Sequence, residues 1–121
     1  MPKSESCGQF EQLVLTAIVT LNDRAYGIPI HRKVQQLTTP KNVTLGAVYV
    51  TLDRLEDKGF VSSWLSEPTP ERGGRSKRYY RVEAVGERAL RESTATARRI
   101  WDALSEAMVG RRGRKWGEAW K

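Results

Sequence analysis

Hydrophobic and polar positions alternate along this chain with two different periods. From Phe10 the apolar residues Phe10, Leu13, Val14, Ala17, Ile18 and Leu21 recur every three or four positions, the spacing of one helical face. Asn22-Asp23 stops that pattern. A second stripe, Ile30, Val34 and Leu37, follows Tyr26-Gly27. It places Pro29 in the first helical turn, where a missing N–H costs little, and Pro40 ends it. A third helix is expected from an N-cap at Thr44 to Lys58, with Gly59 just beyond its end. Leu45, Val48, Leu52 and Leu55 form its buried stripe. The period then changes to two. "VSSWL" (61–65) reads as a strand, Pro68 and Pro70 end it, and Tyr79–Val82 pairs back. Three helices, a strand, a loop and a strand are the order of a winged helix-turn-helix. From Ala84 to Val109 there is no proline, and Leu90, Thr94, Ala97, Trp101, Leu104 and Met108 recur at alternating steps of four and three. Such a helix is about 39 Å long. It is too long to bury its stripe on so small a domain, and a partner chain is the natural cover.

The fold class expected is mainly α with a small β-hairpin: a winged helix-turn-helix domain plus a long C-terminal dimerisation helix. The boundaries are an N-terminal arm at 1–9, the winged domain at 10–83, the dimerisation helix at 84–109 and a basic tail at 110–121, expected to be disordered. A length of 121 residues suits one domain with one modest core.

Charge sharpens this picture. The chain has 21 Lys+Arg against 14 Asp+Glu, a net +7, which favours nucleic acid or an anionic membrane surface as partner. Much of the excess lies in "PERGGRSKRYYRV" (70–82), where Arg72, Arg75, Lys77, Arg78 and Arg81 face a single acid, Glu71. This loop stands where a winged domain places its wing. Arg72, Arg75, Lys77 and Arg78 are therefore candidate phosphate contacts, which position a protein on a duplex without reading its sequence. The tail "GRRGRKWGEAWK" (110–121) is the other focus, but Trp116 and Trp120 sit among glycines without an amphipathic helix, so membrane binding is disfavoured.

Several classes of function are excluded. The single Cys7 forms no internal disulfide and suits a reducing cytosol. The longest apolar run, 13–21, is far short of a membrane span, and Asn22-Asp23-Arg24 stand where a signal peptide needs small residues. A cytoplasmic protein is expected. With one histidine (His31, read as ordinary surface) and no HxE, CxxC or serine-centred elbow, no catalytic or metal site and no cofactor is expected.

Steps of 100° set Gly46, Ala47, Val50 and Arg54 opposite the buried stripe of the third helix, with Tyr49 and Thr51 on its flanks. A small, apolar outer face suits a major groove: the backbone approaches closely, thymine methyl groups find contacts, and an arginine can bond guanine. An ion pair with Asp53, Glu56 or Asp57 is the competing use of Arg54. The candidate DNA-binding residues on this helix are Thr44, Gly46, Ala47, Tyr49, Val50 and Arg54.

"TLGAVYVTLDRLEDKGFV" (44–61) resembles the signature of the PadR family of transcriptional regulators. "AYGIPI" (25–30) is similar to that family's aromatic-Gly opening of the second helix, and "GGRSKRYYRV" (73–82) to its wing and Tyr-Tyr strand. The resemblance covers residues 10 to about 92 and, with one C-terminal helix, looks like the short branch. It implies a homodimeric repressor that binds a pseudo-palindromic operator in double-stranded DNA. It also implies that Tyr49 helps hold the DNA backbone. Some relatives bind small aromatic effectors near tryptophans on the dimer helix, which here points to Trp101. Ala97, Ile100, Leu104 and Met108 are the candidate dimer interface. Three positions depart from the pattern: Ala47 for a common Thr, Asp53 for a common basic residue, and Glu83 for a frequent Thr N-cap. The alternative function is a winged interaction module that binds protein or RNA rather than operator DNA.

Overall fold

The stripe that begins at Phe10 forms α1 (Gln9–Leu21) in the computed structural model, which describes residues 7–67 and 76–110. Its start is set by Glu11, whose carboxylate accepts the Gly8 N–H at 2.9 Å. Its end is set by Asn22, which turns the chain with a left-handed φ of 57°. A short 3₁₀ turn, Asn22–Arg24, leads to α2 (Gly27–Thr38) and then α3 (Leu45–Asp57). The connection between these two helices is pinned by side chains of α2. A ring nitrogen of His31 bonds the Val43 carbonyl at 2.6 Å, and the Gln35 amide both donates to Lys41 O (2.7 Å) and accepts from Val43 N (2.9 Å). His31, expected as plain surface, is thus a structural tie.

Thr44 caps α3 as expected, its Oγ1 accepting the Ala47 N–H at 3.0 Å. Gly59 closes the helix with φ +79°, a conformation that a side chain disfavours. The chain then forms the antiparallel hairpin of β1 (Val61–Leu65) and β2 (Arg78–Val82), with Val61 opposite Val82 and Leu65 opposite Arg78. Tyr26 adds a bridge to Tyr79 on the far side of β2, supported by Tyr80 N–H donating to Ala25 O at 2.9 Å. Finally α4 (Ala84–Gly110) leaves the domain. At 27 residues it is about 40 Å long.

Val14, Leu15, Ile30, Val34, Val48, Leu52, Leu55 and Phe60 form the centre of the core. α1 runs through the middle, against α2, α3, β2 and α4, so more than one of its faces is covered. This explains why Leu15, off the predicted stripe, is fully buried. Three expectations need correction. Leu37 was placed on the buried stripe but is 48% exposed, because the core on α2 ends one turn earlier, at Val34. Thr51 was placed on an outer flank but is buried, because it follows Val48 by three residues, precedes Leu55 by four, and so shares their face. Leu45, expected inside, is half-buried.

The first turns of α4 belong to this core. Gly86 lies so close to Phe60 that an added Cβ would stand 3.0 Å from that residue's Cα and closer to its carbonyl oxygen. Ala89 is buried as well, and Leu90 packs against the core. From Thr94 onward no residue of α4 is buried. Among the described residues no helix is long and apolar enough to cross a membrane.

Candidate nucleic-acid interface

The buried side of α3 leaves Gly46, Ala47, Tyr49, Val50 and Arg54 in solvent. Val50 is 57% exposed and Tyr49 42%, which is unusual for apolar side chains in mid-helix. Thr44 is exposed too, but its hydroxyl already serves as the helix cap. The competing ion pair of Arg54 is not formed among the described residues. Glu56 instead accepts a hydrogen bond from Ser63 Oγ at 2.7 Å. Exposed Arg54 therefore has no carboxylate in ion-pair contact among the described residues, and its charge also reaches Glu11 of α1.

Tyr49 leans across to α2. A Cβ on Gly27 would lie 2.7 Å from Tyr49 Cζ and would collide with its hydroxyl. The glycine of "AYGIPI" thus makes room for the tyrosine of "GAVYV". This contact joins the N-terminus of α2 to the outer face of α3.

The hairpin carries a row of rings. Tyr26 and Tyr79 are 5.2 Å apart between centroids, and Trp64 stacks on Tyr79 at 6.0 Å. A cation covers each end: Lys77 Nζ is 4.2 Å from the Tyr26 centroid, and the Arg81 guanidinium 5.7 Å from the Trp64 ring. Beyond β1, Ser66 Oγ accepts the Lys77 N–H at 2.9 Å while Lys77 O accepts the Ser66 N–H at 2.8 Å, fixing Lys77 at the base of the connecting loop.

Arg78 starts β2 rather than belonging to the loop, and its Nη1 donates to Ser63 Oγ at 2.9 Å. Through Ser63 it reaches Glu56 on α3, so it is exposed but held toward that helix. Arg72 and Arg75 lie outside the described residues, as does the tail beyond Gly110. The structure therefore gathers Tyr49, Lys77 and Arg78 around α3 and the hairpin base. The sequence reading missed the parts played by Tyr26, Ser63 and Glu56. Only the aromatic-glycine pair at 26–27 carried a local signal; the other two are surface residues whose pairing depends on the fold.

One half-buried ion pair ties the end of α3 to α1. Lys58 Nζ lies 2.9 Å from Glu11 Oε1 and 5.1 Å from the Phe60 ring centroid. Burial raises the Glu11 carboxyl, but the hydrogen bonds from Lys58 and Gly8 N–H, with the charges of Lys58 and Arg54, outweigh it and hold Glu11 below the usual carboxylate range.

The other candidates lie along α4. Ala97, Ile100 and Leu104 are exposed, Ile100 by 61% and Leu104 by 47%, and Met108 is half-buried. Trp101 is 58% exposed and points about 100° away from Ile100. Among the described residues no group of His, Cys, Asp and Glu could hold a metal ion.

Comparison with known proteins agrees with this architecture. The family model described as "Transcriptional regulator PadR-like family" matches residues 14–92. No curated protein matches the chain. A PadR family transcription regulator from hypervirulent Clostridium difficile R20291 superposes with a TM-score of 0.66 at 20% identity, covering 84% of this chain and 99% of that one. A PadR-like transcription factor from Bacteroides fragilis gives 0.64 at 24% identity, over 83% of this chain and 90% of that one. The ORC1 protein of Aeropyrum pernix, solved in complex with DNA, gives 0.59 at 27% identity, over 78% of this chain but only 26% of that one.

Proposed function

The chain belongs to the PadR-like family of transcriptional regulators, and from that premise we propose that it is a homodimeric, sequence-specific repressor which a small aromatic effector releases from duplex DNA. The observation that carries the DNA-binding part is the outer face of α3. Gly46, Ala47 and Val50 make a low apolar ridge that water solvates poorly, and Arg54 beside them has no ion-pair partner among the described residues. Such a face fits a major groove, with Arg54 on guanine and Val50 on thymine methyl groups. Thr44, Tyr49, Lys77, Arg78, Arg72 and Arg75 would hold phosphates around it. The winged fold shared with the Aeropyrum pernix protein, which was solved on DNA, supports this reading.

The homodimer rests on α4. Its stripe of Ala97, Ile100, Leu104 and Met108 continues past the last core residue, and a second copy of the helix would cover it. Trp101, on the edge of that stripe, would then stand near the dimer axis. Two such indoles could hold a flat aromatic guest between them.

Selection of bound duplexes from a random pool tests the central claim. The expected product is one motif with two half-sites about a helical turn apart. If each protomer neutralises about three phosphates, affinity falls on the order of 10³-fold between 50 and 200 mM salt. A flat salt response, or equal binding to single-stranded RNA, overturns the reading. Effector release is tested with Trp64, Trp116 and Trp120 changed to Phe. Planar dyes and phenolic acids should quench Trp101 and release the operator together, and Trp101→Ala should remove both effects.

A further inference from the structure

Beside Val50 on the outer face of α3 stands a carboxylate, that of Asp53. The buried side of this helix is formed by Val48, Thr51, Leu52 and Leu55. At 100° per residue, Asp53 lies about 150° from the middle of that side, about 20° from Gly46 and about 60° from Val50. It is exposed, and it makes no hydrogen bond or ion pair among the described residues. Its neighbours are committed elsewhere: Glu56 accepts from Ser63 Oγ, and Arg78 donates to that same hydroxyl oxygen. Burial pushes the Tyr80 phenol up; the charge of Arg78 opposes this, and Asp53, Glu56 and Tyr49 add to it, so Asp53 lies on the side of α3 toward β2. Gly46 leaves the same face low. A Cβ there would meet nothing within 4 Å, so packing inside the domain does not call for glycine. Its bare backbone lets α3 lie close to a partner surface, which brings a side chain as short as aspartate within reach of it.

We propose that Asp53 specifies a cytosine in the major groove, its carboxylate accepting a hydrogen bond from the N4 amino group. The inference rests on the DNA-binding reading above and adds a base-specifying residue to it. An ionised carboxylate has acceptors only, so it bonds a base edge only where a donor is presented. In the major groove those donors are N4 of cytosine and N6 of adenine. Adenine carries the N7 acceptor beside its amino group, which repels a carboxylate, whereas cytosine offers no acceptor of its own there. Guanine presents two acceptors, and thymine an acceptor and a methyl group. The unpaired anion is also repelled by every phosphate, which leaves a base-edge amino group as its favourable contact. Asp53 thus penalises the wrong base as well as rewarding the right one.

The test selects bound duplexes from a random pool with the wild type, Asp53→Ala, Asp53→Asn and the control Asp57→Ala. The control removes the same charge one turn later, at the last residue of α3. Both side chains are exposed, so thermal melts by circular dichroism should match the wild type. The wild-type motif should hold a cytosine in each half-site whose replacement weakens binding on the order of 10- to 100-fold. Asp53→Ala should lose preference at that position alone. Asp53→Asn should change it to adenine, whose N6 and N7 suit an amide, and Asp57→Ala should leave the motif intact. If Asp53→Ala keeps the wild-type motif and binds every duplex more tightly by one factor, the carboxylate only repels phosphates and the proposal is overturned. It is overturned equally if the position lost is not a cytosine, or if Asp57→Ala loses the same position. Each of these results leaves the DNA reading standing. A wild type that selects no motif overturns both.

Discussion

At the scale of single residues, two glycines and one carboxylate make separable claims. The neighbour of Gly86 is the Phe60 backbone, which cannot rotate away, whereas the neighbour of Gly27 is the end of the Tyr49 side chain, which can. Gly86→Ala is therefore expected to destabilise by about 1–3 kcal/mol, as overpacking does. Gly27→Ala should cost less, because the end of a flexible side chain gives way more readily than backbone. The cost should disappear once Tyr49 is also Ala, and urea denaturation of the double-mutant cycle measures that coupling. Glu11 sets a pH dependence. Its carboxyl is held below the usual range in the fold, so the unfolded chain takes up the proton first as pH falls. The stability it contributes is present above about pH 4.3 and is lost as pH drops through the depressed value. Glu11→Gln should flatten this part of a stability profile below about pH 4.3.

At the scale of elements, α3 and the hairpin are expected to fail differently. Phosphates carry no code, so Arg75→Ala with Arg78→Ala should weaken binding to every duplex by a similar factor. Part of the Arg78 effect is structural, since it bonds Ser63 and through it reaches Glu56; melting temperatures of the variant separate the two. Ala47→Glu or Val50→Ala, on the outer face of α3, should change which sequence is preferred. Competition assays with selected and scrambled duplexes distinguish these outcomes. A wing variant that alters preference at unchanged nonspecific affinity would reverse the assignment of the two elements.

At the scale of the whole molecule, α4 divides in two. Its first turns complete the core through Gly86 and Ala89, and the remainder extends without any buried residue. Leu104 lies well beyond the last core contact and is 47% exposed, so Leu104→Asp should leave the winged domain folded. Buried at a seam between two copies, the same carboxylate would be left unpaired and costly. Sedimentation of the variant as a folded monomer, beside a dimeric wild type, is the expected result. A folded, DNA-binding dimer with this change would place the interface elsewhere.

Among the described residues the boundaries of the four α-helices and the two strands were legible in the sequence to within a residue or so, because they depend on local matters: the 3.6 and 2 periodicities, Thr44 as cap, Gly59 beyond the helix end, and prolines at breaks. The outer face of α3 was legible for the same reason, since burying one side of a helix exposes the other. What depends on the paths of two distant segments was not. Leu15 is buried because α1 is covered on several sides, and Leu37 is exposed because the core against α2 ends at Val34. His31 ties down a turn twelve residues away. Gly27 is small because Tyr49, twenty-two positions later, lies on it, and Arg78 points to α3 because the hairpin register puts Ser63 within its reach. Periodicity determines which side of an element is buried; only the tertiary packing decides which residues of other elements meet it there.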